Sequence, residues 1–233
     1  MAYCSQQEVE AHTGYSYNDF RQADAFMTSN QWATYITMVI AGATEMINRY
    51  CNRQSFEAAN YTEYHDGRGP TGDRGRYYRE IDRTFIPREQ PVISITSVSV
   101  DTSMTSAPLW TTLTMRDTGV AGNYAVISDG FVTRIVFHNT IPQAGKGNVK
   151  ILYSAGYSSG SPVLADIKFI CLDLISNFLA KKKREQEGVV ASFDSGTQTI
   201  AQMISMLHPE IMTEDLKLRL APYRRTVRGK AWH

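Results

Sequence analysis

Between Ser29 and Tyr50, Trp32, Tyr35, Ile36, Val39, Ile40, Ala43, Met46, Ile47 and Tyr50 fall at offsets 0, 3, 4, 7, 8, 11, 14, 15 and 18 from the first, one continuous apolar stripe. Only an α-helix brings that spacing onto one side, because its residues return to the same face about every 3.6 positions. The stretch predicts an amphipathic helix of about five turns, with Ser29 as its N-cap. A long helix with one apolar stripe must be covered, so the remainder of the chain has to supply a packing layer.

After Phe56 the period shortens. Tyr61 to His65, Val92 to Val100, Tyr124 to Ile127, Val132 to Phe137 and Val149 to Tyr153 are short alternating or β-branched runs parted by Gly, Pro, Asn and Asp. Such runs predict strands, and strands following one another without crossover helices predict an antiparallel sheet. Helical spacing returns at Pro162, a favoured first-turn residue. Val163, Ile167, Ile170, Leu174 and Phe178 line one face there, and Leu164, Cys171, Ile175 and Leu179 broaden it. So broad an apolar face predicts cover on more than one side and suits a component of an assembly. Lys181, Lys182, Lys183 and Arg184 read as a cationic helix end, with Gly188 as the break. Near the start, Ser5-Gln-Gln-Glu8 has the capping-box form and Gly14 is a plausible stop, so a short first helix is expected. Weak helical spacing recurs from Ile200 to Leu207, and stronger spacing from Pro209 to Leu220.

The fold class implied is α+β: a helical domain with an inserted antiparallel β-domain and a helical, extended C-terminal region. The divisions fall at 1–56 (helical part of the core domain), 57–157 (inserted β-domain), 158–187 (the long helix that completes the helical core) and 188–233 (C-terminal helical segments and a basic tail).

With 42% hydrophobic and 20% charged residues in 233, the chain is rich enough to bury a core and is neither disordered nor fibrous. No apolar run approaches the roughly 20 residues that cross a bilayer, and no signal-peptide pattern opens the chain, so cytoplasm is the expected compartment. Cys4, Cys51 and Cys171 are odd in number and lack C-x-x-C spacing, which suggests neither a disulfide framework nor a zinc site. The net charge of +1 gives no overall pull toward nucleic acid, but it is unevenly placed. Beyond Asp215, the last acid, come Lys217, Arg219, Arg224, Arg225, Arg228 and Lys230.

Three motifs invite chemistry. Gly156-Tyr157-Ser158-Ser159-Gly160 matches the G-x-S-x-G nucleophile elbow and lies between a predicted strand and a predicted helix. An elbow belongs to a parallel sheet, however, and the candidate partners here are only Asp166, Asp173 and His208. Gly67-Arg68-Gly69-Pro70-Thr71-Gly72 matches G-x-G-x-x-G, but no helix can open in so Pro- and Gly-rich a stretch to meet a pyrophosphate. It reads instead as a charged loop, with Arg68, Arg74 and Arg76 as contact residues. Gly145-Lys146-Gly147 lacks the rest of a P-loop. No catalytic, cofactor or metal constellation can be drawn, and the expectation is a non-enzymatic chain with no cofactor.

Taken together in order, three further segments resemble the head-tail adaptor (head-completion or connector) proteins of tailed phages. Tyr50-Cys-Asn-Arg53-Gln-Ser-Phe56 is similar to the aromatic, Arg and Phe exit from that family's main N-terminal helix. Pro91-Val-Ile-Ser-Ile-Thr-Ser-Val98 resembles its Pro-Ile-x-Ser-Val-x-Ser-Val strand. Val149-Lys-Ile-Leu-Tyr153-Ser-Ala-Gly156-Tyr157, with Pro162 and a long apolar helix after it, resembles its Val-x-Val-x-Tyr-x-Ala-Gly-Tyr stretch. The likeness covers roughly residues 1–185; the loop at 66–76 and the region after Gly188 depart from the pattern. The resemblance implies a ring of identical subunits, expected twelvefold, lying under the portal protein in the virion neck. A stopper, tail terminator or tail tube would follow as the next ring. Genomic DNA would pass through the channel without specific binding, and no membrane is involved; assembly takes place in host cytoplasm.

Within that picture Arg224, Arg225, Arg228, Lys230 and Trp232 are the expected portal-docking residues, because Arg and Trp most often carry binding energy at interfaces. The tail from Ala221 onward is expected to be flexible until it docks. Arg68, Arg74 and Arg76 are the expected contacts to a neighbouring subunit or the next ring. The competing readings are a serine hydrolase using Ser158 and a DNA-binding module working through Lys181 to Arg184 and the tail.

Overall fold

The computed structural model describes residues 2–21, 28–67, 83–103, 107–117, 121–129, 132–138, 142–188 and 212–225. The chain is α+β and divides into two compact units, 57–159 and, flanking it in sequence, 1–56 with 160–233.

The helical unit contains α1 (Gln6–Thr13), α2 (Tyr17–Arg21), α3 (Ser29–Cys51), α4 (Pro162–Gly188) and α5 (Glu214–Leu220), followed by a 3₁₀ turn at Ala221–Tyr223. The capping box at Ser5 and Glu8 forms, and Gly14 closes α1 in the left-handed conformation at φ 68°. In α3 the cap is Thr28 rather than Ser29: the Gln31 N–H donates to Thr28 Oγ1, and the Gln31 side chain accepts from the Thr28 N–H at 2.7 Å. The reason lies three residues on, where Thr28 finds a glutamine and Ser29 would find Trp32, which cannot reach back. α2 was not expected from the sequence. Its Phe20 stacks on Trp32 at 4.9 Å and extends an aromatic row from Tyr15 through Tyr35 to Phe178.

The apolar stripe of α3 is buried as its spacing requires, and Ile167, Ile170, Cys171, Leu174, Ile175, Phe178 and Leu179 of α4 are buried with it. α1, α3 and α5 all pack against α4. The breadth of that face is thus consumed within the subunit and is no longer an argument for assembly. Lys181 to Arg184 do not end α4 either, since the helix runs on to Gly188. Lys183 turns toward α2, with its ammonium 3.9 Å from Asp19 and 5.1 Å from the Tyr15 ring centre. α5 opens at Glu214 under a Thr213 cap, later than the Pro209 start its spacing suggested. Residues 200–207 lie outside the described residues.

In the β unit, β1 (Ala59–Gly67), β7 (Gly145–Ala155), β3 (Val92–Asp101) and β4 (Trp110–Thr112) form one antiparallel sheet in that order. β2 (Thr84–Phe85), β6 (Thr133–Phe137) and β5 (Tyr124–Ser128) form a second, also antiparallel. Side chains from both sheets make one core, including Val98, Val100, Ile135, Phe137, Val149, Ile151 and Tyr153. β7 supplies it by strict alternation at Val149, Ile151, Tyr153 and Ala155, as period two demands. β3 does not alternate: register shifts at Ile93 and Thr96 make Val92, Ile95, Val98 and Val100 the residues opposite those four β7 side chains. These are β-bulges, each giving two residues to one partner. Gly145 to Gly147, the P-loop fragment, opens strand β7, where the Gly147 N–H donates to Asp66 at 2.8 Å.

Candidate functional site

The expected docking residues lead to the end of α3. After α5, whose Leu216 and Leu220 are buried, the chain folds back as a strap across the exit of that helix. Every residue of the Tyr50, Arg53, Phe56 motif holds it. The Tyr50 hydroxyl donates to the Lys217 carbonyl at 3.4 Å, and the Arg53 Nε–H to the Tyr223 carbonyl at 3.0 Å. The Phe56 ring meets the Tyr223 ring edge-on, with centres 6.2 Å apart. The Tyr223 hydroxyl donates to Asp166 at 2.6 Å, and Arg219 pairs with Asp173 at 2.6 Å. Finally, the Arg225 N–H donates to the Cys51 carbonyl at 2.9 Å, satisfying one of the acceptors that a helix end leaves open. Residues 221–225 are therefore bound down in the subunit itself and are not a free arm.

The same geometry gathers charge. Arg224 is exposed and lies over the Tyr50 ring at 5.5 Å, while Arg53 lies over Phe56 at 5.1 Å. Burial pushes the Cys51 thiol up to about 11, and the fields of Arg53 and Arg224 oppose that rise. Cations at a helix C-terminus complement its dipole. Chemically, this cap offers forked donors already ordered on aromatic rings, suited to carboxylates or phosphates. Tail composition alone pointed to Arg224 and Arg225 but missed their seats on Tyr50 and Cys51, which lie more than 170 positions away in sequence. Arg228, Lys230 and Trp232 lie outside the described residues, as do Arg68, Arg74 and Arg76.

The β unit holds a second polar cluster that sequence reading did not find. The Glu63 carboxylate accepts from the Arg88 N–H on both oxygens at 3.0 Å, from the Tyr153 hydroxyl, and contacts His65 Nε2 at 3.0 Å. Tyr153 in turn accepts from the Glu89 N–H at 3.0 Å. Burial alone would raise the Glu63 carboxyl, but the bonds from His65, Tyr153 and Arg88 outweigh it and hold it below its ordinary value. Burial, with that carboxylate beside it, pushes the Tyr153 phenol far upward. A carboxylate bonded by that many donors is a fastener for the 86–90 turn, which ends where β3 begins.

Ser158 is exposed, in the turn that leaves β7. Both flanking glycines have positive φ, 116° at Gly156 and 89° at Gly160. A Cβ at Gly156 would stand 2.5 Å from the Glu57 carbonyl oxygen, so glycine is required there for backbone packing. The strand entering this turn is central in an antiparallel sheet, unlike that of a nucleophile elbow. Of the candidate partners, Asp166 and Asp173 are engaged by Tyr223, Arg219 and His12, and His208 lies outside the described residues. Among the described residues, no three His, Cys, Asp or Glu side chains gather to hold a metal ion, and no helix is long and apolar enough to cross a membrane.

No family model and no curated protein matches the chain. Among solved structures it is similar to a chain in the neck of an empty GTA particle computed with C6 symmetry. The two are 16% identical, with a TM-score of 0.40, over 86% of this chain and 87% of that one.

Proposed function

We propose that this protein is a head-tail adaptor of a tailed phage: a non-enzymatic subunit that closes into a ring beneath the portal, surrounds the DNA channel and carries the next neck or tail ring. The observation that supports this reading is where the family-like segments fall. Tyr50, Arg53 and Phe56 seat the C-terminal strap. Pro91 to Val98 opens β3, whose Pro91 carbonyl accepts from the Gly156 N–H at 2.9 Å. Val149 to Tyr157 is the central strand and its glycine turn, and Pro162 opens α4. Each segment thus occupies a joint of the fold, in the order in which it occurs in the resembling family.

In this reading the strap does two jobs: residues 221–225 fix its course, and the arginine cap with Arg228, Lys230 and Trp232 meets an acidic surface of the portal. The protein would reside in the virion neck, after assembly in host cytoplasm. Electron microscopy of the purified protein, alone and mixed with the portal of the same phage, tests it. Rings coaxial with the portal are expected, and a variant carrying Arg224→Ala and Arg225→Ala should fold but bind portal more weakly. A protein that stays monomeric and ignores the portal would overturn the proposal. For the non-enzymatic part, no labelling by a fluorophosphonate that Ser158→Ala abolishes is expected.

A further inference from the structure

Cys4 and Cys171 stand 167 positions apart in sequence, yet their Sγ atoms lie 3.8 Å apart inside the helical unit. Both are buried, as is Cys51, which has no thiol against it among the described residues. Cys171 sits in the middle of α4, on a rigid, fully covered helix face. Cys4 sits in the short segment ahead of α1. Tyr3 anchors that segment: its N–H donates to Thr44 Oγ1 at 3.4 Å, its hydroxyl donates to Asn48 and accepts from the Phe56 N–H at 3.1 Å, and its ring packs edge-on against Phe56. One partner is therefore set within a long helix and the other in a short non-helical segment ahead of α1, where local opening exposes a thiol more readily than in mid-helix.

We infer that Cys4 and Cys171 form a dithiol couple that closes to an intramolecular disulfide in the folded protein when a low-molecular-weight disulfide such as oxidised glutathione is the oxidant. The electron count closes with that reagent. The Cys4 thiolate attacks one glutathione sulfur, the glutathione S–S bond breaks, and a glutathione thiolate leaves with the electron pair and takes up a proton. Cys171 then loses its proton and attacks Cys4 Sγ, expelling the second glutathione thiolate. Two protein thiols are oxidised and one small disulfide is reduced to two thiols.

The order of attack follows from the surroundings. Cys171 is wholly covered on α4, whereas Cys4 keeps some exposure in the segment ahead of α1, so Cys4 is the sulfur that a small disulfide reaches first. Closure would fasten the segment ahead of α1 covalently to α4. A chain that is reduced where it assembles would gain the bond on reaching an oxidising medium.

The test uses the full-length protein in native, mildly alkaline buffer with oxidised glutathione, followed by acid quenching, alkylation and peptide mapping. The expected product is lighter by two hydrogens before alkylation and yields a linked peptide pair containing Cys4 and Cys171. Cys51 is recovered as a free thiol. The thermal midpoint should rise and return to its starting value with dithiothreitol. Cys51→Ser should behave as wild type, and Cys171→Ala should stop at the Cys4 glutathione adduct. Should Cys171→Ala fail to fold, the wild-type peptide map decides alone. Three outcomes overturn the inference: both thiols stay reduced, wild type also stops at the Cys4 adduct, or the linked pair appears only in urea.

Discussion

The strap on the helical unit and the polar knot of the β unit solve one problem with opposite materials. Each fixes an irregular stretch of chain to a regular element. The strap uses an exposed arginine on a tyrosine ring, the surface ion pair of Arg219 with Asp173 just before it, and bonds at the Cys51 and Tyr223 carbonyls. The knot uses a mostly buried carboxylate surrounded by donors, and a buried phenol that both donates and accepts. Exposed pairs contribute little to stability because water competes for both partners. Buried polar groups contribute through what their loss leaves behind, an uncompensated donor or charge. The difference teaches where binding capacity and rigidity reside: the strap keeps its arginine available, and the knot spends every group on itself.

The comparison breaks most severely at the packing beneath the strap's unit. Phe178→Ala removes a fully buried ring that meets Tyr35 and should destabilise by about 3–5 kcal/mol in denaturant titration. A change below about 0.5 kcal/mol would mean that α4 presents another face to the core. In the β unit, Tyr153→Phe keeps the ring but withdraws a donor from Glu63 and an acceptor from the Glu89 N–H. It should cost about 1–3 kcal/mol, and a neutral result would show that the knot adds nothing.

Acid sharpens the same contrast. Glu63 has a folded-state pKa below its ordinary 4.5, so its contribution is complete above that value and is lost as pH falls through the lower folded value. The β unit should therefore lose stability in that acid window, and Tyr153→Phe should shrink the loss, as followed by tryptophan or amide signals of the unit across pH. Smaller again, Thr28→Ala should cost about 1 kcal/mol by removing the α3 cap, measured by the same titration. Arg224→Ala should be smallest, about 0.5–1 kcal/mol in stability. If the proposed function holds, its effect on portal association should exceed its effect on folding, a ratio that no residue of the knot should match.

Most elements could be read from the sequence because they rest on short-range periodicity. The stripe of α3, the alternation of β7 and the Pro162 start of α4 need only neighbours within a few residues. What escaped rests on partners far apart. α2 is a single turn that Phe20 on Trp32 covers, although its local Ser16-x-x-Asp19 box was a sequence signal that went unread, and the strap is ordered by Tyr50 and Arg53 across more than 160 residues. Glu63 carried no sequence signal because Arg88 and Tyr153, which close over it, lie 25 and 90 positions away. The breadth of the α4 face was visible, but its cause was not: three helices of the same chain share it.

The two bulges of β3 have a consequence for how the chain can change length. Ile93 and Thr96 are the supernumerary residues in the β3–β7 ladder, each standing between two neighbours that already oppose successive β7 residues. Loss of either would leave every other pair in place, with Ile95 still opposite Tyr153 and Val92 still opposite Ala155. The strand can therefore shorten by one residue at each bulge, independently, without turning its core side chains outward. Single-residue gaps among descendants of the chain should gather at these two positions.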